Sequence, residues 1–153
     1  MHVSWIVLED TPVFKVVDDS NNEVALYMGN ESHEGPNEMH EIFITLVNNK
    51  HVDINEWFDG SLDSYDSYEF SVKSISDNRV KLKITKRSND QDLVVINSEE
   101  NKDRLIRNYI TEFQKFINLL GKAQIERMQR GYEHDSGFNF GLDTFEILKK
   151  FSD

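Results

Sequence analysis

The spacing of apolar residues changes once along this chain, and that change constrains the fold more than any other feature. Phe70 and Val72 alternate with Glu69, Ser71 and Lys73. After Asp77-Asn78 the alternation resumes, with Val80, Leu82 and Ile84 set between Arg79, Lys81 and Lys83. A repeat of two puts one set of side chains on a buried face and the other in water, so 67–86 reads as a β-hairpin. Ile75 falls out of phase with Phe70 and Val72, which predicts a bulge near Ser74. Further on, Ile106, Tyr109, Ile110, Phe113, Ile117 and Leu120 recur at spacings of three and four, the signature of a helix with one apolar stripe. Strands first and helices last predict an α+β domain. The expected architecture is an antiparallel sheet of six or seven strands, built from a meander and hairpins, with a long C-terminal helix packed on one face and a short closing helix.

The other elements follow from local chemistry. VSWIVL (3–8), PVFKVV (12–17) and EVALYM (23–28) are rich in β-branched and aromatic residues and are separated by turn-forming stretches, so they read as three strands. Residues 29–40 are polar, hold two glycines and a proline, and read as loop. EIFITLV (41–47) places Ile42, Ile44 and Leu46 on one face of a fourth strand, with HVDI (51–54) as a short return strand. LVVIN (93–97) is apolar on both faces and is expected in the middle of the sheet. Ser98, followed by Glu99 and Glu100, reads as a helix start, and Gly131 after Arg127 and Arg130 as a helix stop. A straight helix over 99–130 would run about 48 Å. That exceeds the roughly 35–40 Å breadth of a compact domain of this size, so a break is expected near Gly121. Asp143–Phe151 reads as the closing helix, with Phe145, Leu148 and Phe151 in phase.

A chain of 153 residues is expected to form a single domain, 1–153, with a core that needs no cross-links. Ten Phe, five Tyr and two Trp argue against disorder. The absence of cysteine removes disulfides, thiolate metal sites and a cysteine nucleophile together, and it suits a reducing compartment. The opening residues lack a basic leader and meet Glu9 and Asp10 at once, a poor signal peptide. No run approaches the ~18 apolar residues that a membrane-crossing helix needs. A cytoplasmic protein without membrane contact is the expectation.

Charge is distributed unevenly. Residues 1–72 carry 15 acids against two bases, Lys15 and Lys50, while residues 73–153 carry 13 acids against 15 bases, and the whole has a net charge of −11. Such a balance argues against direct nucleic-acid binding, which draws most of its strength from cations on phosphates. Arg104, Arg107 and Lys115 fall beside or opposite the apolar stripe and read as a solvated helix face.

Several patterns hold the right letters for chemistry in the wrong arrangement. Counted from Asp59, an EF-hand would need its glycine at position six and its glutamate at twelve, where the chain has Ser64 and Phe70. His33 and His40 lie seven apart in a Gly-Pro segment, not four apart on a helix as a zinc protease requires, so both read as exposed. His134-Asp135-Ser136 are neighbours, whereas triad members come from separate elements. No phosphate-binding glycine motif is present. The expectation is therefore no catalytic residue, no cofactor and no metal.

What remains is DINEWFDGSLDSYDSYEF (53–70), with six carboxylates, five aromatic rings and no lysine or arginine. Repulsion within it is unrelieved locally, and it joins interface-forming rings to a field that attracts cations. The expected partner is a basic protein. Asp53, Glu56, Asp59, Asp63 and Asp66 would steer it and form ion pairs, while Trp57, Tyr65 and Tyr68 would supply contact area. In size, charge and expected compartment the chain resembles bacterial immunity proteins and other toxin neutralisers, which put carboxylates where a nuclease would hold phosphates; the likeness is one of class and no motif carries it. Two alternatives stand beside it. One is a small hydrolase using two acids of 53–69. The other is a structural or regulatory subunit that would use Tyr109, Phe113 and Phe116 for oligomer contacts. The sequence sets no oligomeric state.

Overall fold

The computed structural model describes residues 1–28, 35–60, 66–131 and 137–152. Among them seven strands form one antiparallel sheet in chain order: β1 (His2–Leu8), β2 (Thr11–Val17), β3 (Glu23–Tyr27), β4 (Asp53–Asp59), β5 (Ser67–Ser76), β6 (Arg79–Ser88) and β7 (Gln91–Asn101). Helix α1 (Asn37–Asn48) lies between β3 and β4. After β7 come α2 (Lys102–Leu120), α3 (Lys122–Arg130) and α4 (Leu142–Lys149), the last continued by a 3-10 turn over Lys150–Ser152. The α+β architecture expected from the change of period is the one observed.

The sheet is two hairpin systems joined where β3 neighbours β4. β1–β2–β3 pair along their lengths, as do β4–β5–β6–β7, and among the described residues β3 meets β4 where Tyr27 pairs with Asp59. β3 also touches β7, four places away in the sheet order. In a flat sheet that distance would be about 19 Å, so the sheet coils over and its inner faces converge. Phe14 of β2 and Phe70 of β5 come within 6.3 Å, ring to ring. Helix α2 closes this core with Tyr109, Phe113 and Phe116, all buried, and Trp5 of β1 packs against the three of them.

Where the alternation was clear, the strands stand as read, including the bulge, which appears as a register shift between Ser74 and Ser76. The break at Gly121 is also present. This residue has φ 79° and ψ 160°, a region only glycine occupies at ease, and its N–H closes the end of α2 on the Ile117 carbonyl. Gly131 likewise ends α3.

Four readings of strand and helix are corrected. EIFITLV is not a strand but the body of α1. Met39, Ile42, Phe43 and Leu46 are its buried apolar positions, a spacing of three and four that the β-branched composition had masked. The return strand does not sit at 51–54; β4 begins at Asp53 and runs through the acid-rich stretch to Asp59. β7 is not central but forms the sheet's last strand, and its Leu93 and Val94 are 65% and 46% exposed. Nor does the helix start at Ser98. The strand runs on to Asn101, paired with Arg79–Leu82, and Asn101 is the cap, its side chain accepting from Arg104 N–H at 2.9 Å.

His40 was read as an exposed loop residue and is fully buried on α1. Its Nε2 lies 2.9 Å from the Phe140 carbonyl oxygen and its Nδ1 lies 2.7 Å from the Tyr109 hydroxyl. A carbonyl can only accept, so Nε2 carries the proton and Nδ1 accepts from Tyr109. Around it lie the rings of Phe113 and Phe145. The imidazole thus ties α1, α2 and the segment before α4 together. Burial lowers its pKa to about 4, against the partial support of the Phe140 carbonyl. The burial of Tyr109, Phe113 and Phe116 also removes the face proposed for oligomer contacts.

Candidate functional site

The acid-rich run is positioned by β4, and alternation decides what each residue does. Phe58 is 1% exposed and packs edge-on against Phe70, which anchors the strand to the core. Trp57 must then turn to the other face, where it is 38% exposed beside exposed Asp53 and Asn55. Glu56 shares the Phe58 side of the strand, facing across to Phe70, but it too is exposed. Asp66 directly precedes β5, and its carbonyl accepts from Gly60 N–H at 3.3 Å. Tyr68 is half-buried, with its ring so close to Gly60 that a Cβ there would come within 2.7 Å of it. Asp63 and Tyr65 lie outside the described residues, as do His33 and the His134-Asp135-Ser136 group.

Register brings in cations that the run itself lacks. Across the outer face Asp59 faces Ser67, Ser67 faces Arg87, and Arg87 faces Asp92. The Arg87 guanidinium makes a two-pronged contact with Asp92, at 2.9 and 3.3 Å, and sits 4.8 Å from the centre of the Trp57 ring. Its pKa is raised first by Asp92 and further by Glu69 and Asp90. Lys86 Nζ approaches Asp66 at 3.4 Å. The Asp66 pKa is lowered, chiefly by a hydrogen bond from the Ser88 side chain and then by Lys86. No ion pair to Asp53 or Glu56 is found among the described residues. Lys73 stands across from Asp53 in the register without reaching it.

The outer surface of β4–β7 is therefore banded. Acids stand on β4, cations run along Lys73, Arg79, Lys81, Lys83 and Arg87, and acids return at Asp92 and Glu99 on the far margin. Arg87 and Lys86 were the functional neighbours the linear reading missed. Arg87 was legible in principle, since it continues the wet-face alternation of Lys81 and Lys83. Its meeting with Trp57 depends on register alone.

Among the described residues no three His, Asp or Glu side chains form a group able to hold a metal ion. No helix among them is long and apolar enough to cross a membrane. Arg104, Arg107 and Lys115 are exposed on α2. Arg107 lies over the Phe151 ring, and Lys115 pairs with Glu112. Compared with protein-family models, curated proteins and solved structures, the chain shows no match.

Proposed function

We propose that this chain is a non-enzymatic acidic binding protein that occupies a basic protein partner through the β4 face, in the manner of an immunity-type inhibitor of a nucleic-acid-directed toxin. The observation that carries the reading is the display of Asp53 and Glu56, exposed and without ion-pair partners among the described residues, beside a Trp57 ring left more than one-third open. Uncompensated acids at an accessible margin raise the local concentration of a cationic partner, and an exposed indole supplies contact area that slows its release. Arg87 and Lys86 narrow the acid surface to the β4 side, so Asp66 serves the fold's own ion pair before any partner.

The hydrolase alternative needs one acid with a raised pKa beside an ionised partner. Asp66, whose pKa is lowered by the Ser88 side chain and Lys86, suits the ionised partner and not the proton donor.

The test uses the partner captured from the native host at low salt and released by a salt step. Its association rate is then measured for the wild-type protein and for Asp53→Asn combined with Glu56→Gln. The expected result is a rate about tenfold slower at low salt, with a shallower salt dependence. A rate unmoved by the double substitution and by added salt would remove the electrostatic basis of the reading.

A further inference from the structure

One strand inward from the acids of β4, the outer face carries the opposite charge. Lys73 of β5 stands directly across from Lys81 of β6, and Lys83 follows two places on, across from Ser71. Like charges set opposite each other on one face of a sheet work against the pairing of their strands. The neighbouring acids do not relieve them. Glu99, which the register sets beside Lys81 on β7, lies 3.7 Å from the Arg79 guanidinium instead. Asp92 is held by Arg87, and Asp66 is approached by Lys86. Among the described residues no acid pairs with Lys73, Lys81 or Lys83. Lys73 and Lys81 are exposed and Lys83 is half-buried. Ser71 and Asn97, on either side of Lys83, are uncharged.

We infer that Lys73, Lys81 and Lys83 form a docking surface for an acidic protein segment, one that lies extended along β6 with Asp or Glu at alternate positions. The spacing comes from the sheet. Lys81 and Lys83 stand about 7 Å apart on the same side of one strand, which is the separation of alternate residues in an extended partner. Lys73, about 5 Å away on β5, adds a second cation to the acid that meets Lys81. The width of the band selects a peptide over nucleic acid. The cations occupy two strands, with Asp53 bordering them on β4 and Glu99 on β7. A duplex carries a phosphate charge about every 1.7 Å of its axis, so most of its charge would fall beyond the lysines and against these margins. The net charge of −11 opposes any long polyanion as well. A short segment with two or three carboxylates engages the band alone. This inference goes beyond the reading of β4 as the face for a basic partner; it concerns other side chains of the opposite charge, and either stands without the other.

The test is a titration of isotope-labelled protein, followed by nuclear magnetic resonance, with three probes. They are the peptide acetyl-Thr-Glu-Thr-Glu-Thr-Glu-Thr-amide, the same peptide with Gln in place of each Glu, and a short single-stranded thymidine oligonucleotide. The acidic peptide should move the backbone signals of Lys73, Lys81 and Lys83, and added salt should reverse the change; the Gln peptide should move none of them. Lys81→Gln combined with Lys83→Gln should weaken binding of the acidic peptide about tenfold. Lys81→Gln alone, at an exposed position that leaves the fold intact, should show part of that loss. Asp53→Asn combined with Glu56→Gln should not weaken it, which separates this surface from the acid face. Equal response to both peptides, tighter binding of the oligonucleotide, or silence at the three lysines with the acidic peptide would each overturn the inference.

Discussion

Acidification should weaken this fold through one side chain. His40 is buried among Phe113, Phe145 and Tyr109, with its proton on Nε2, and no carboxylate among the described residues pairs with it to favour a second. Burial holds its pKa at about 4, whereas an imidazole in the unfolded chain titrates near 6.5. The folded state therefore binds fewer protons than the unfolded state between these values, and stability rises with pH across that window. The contribution is fully present above pH 6.5. It declines as pH falls towards 4, and below that it changes no further because both states are protonated. At about 1.4 kcal/mol per pH unit, the loss sums to roughly 3 kcal/mol, a large share of the 5–15 kcal/mol that ordinarily holds a domain together. The assay is urea unfolding followed by circular dichroism at several values from pH 7 to pH 4, on the wild-type protein and on His40→Gln. Glutamine offers a donor and an acceptor but does not titrate. Subtracting the variant's curve removes the contribution of the surface carboxylates. The wild type should show an extra decline of about 3 kcal/mol concentrated between pH 6.5 and pH 4. Parallel curves, or a directly measured His40 pKa near 6.5 in the folded protein, would refute the burial argument.

Two further substitutions test other parts of the structure. Gly121→Ala meets no atom within 4 Å of the added Cβ, yet it must hold φ 79° and ψ 160°, so thermal unfolding should report a loss of about 1–3 kcal/mol from backbone strain alone. Arg87→Gln withdraws the cation lying over Trp57 and should quicken association with a basic partner at low salt, as read by the same rate measurement as the Asp53 and Glu56 variants.

The elements legible in the sequence were those whose apolar period was unambiguous. β5, β6, the bulge at Ser74, α2 and the break at Gly121 all follow from spacing and from what glycine permits. α1 was misread because Ile42, Ile44 and Leu46 also satisfy a period of two, and β-branched side chains favour that reading locally. Met39, Ile42, Phe43 and Leu46 fit the helix equally well, and only packing beneath α2 and α4 separates the two. His40 went with it. A histidine in a polar stretch reads as exposed unless one knows that Tyr109 and Phe140, 69 and 100 residues away, stand ready to bond both of its nitrogens.

By itself the sequence determined the fold class, the order of most elements and the excess of negative charge in the first half, because these depend on neighbours within a few positions. Tertiary structure decided which acids are answered by a cation and which strands are neighbours. Lys86 and Arg87 reach Asp66 and Trp57 only because β6 pairs with β5 in one register. Tyr27 meets Asp59 only because β3 and β4 lie antiparallel as neighbours in the sheet. Both are consequences of how strands meet across tens of residues, and no local spacing encodes that meeting.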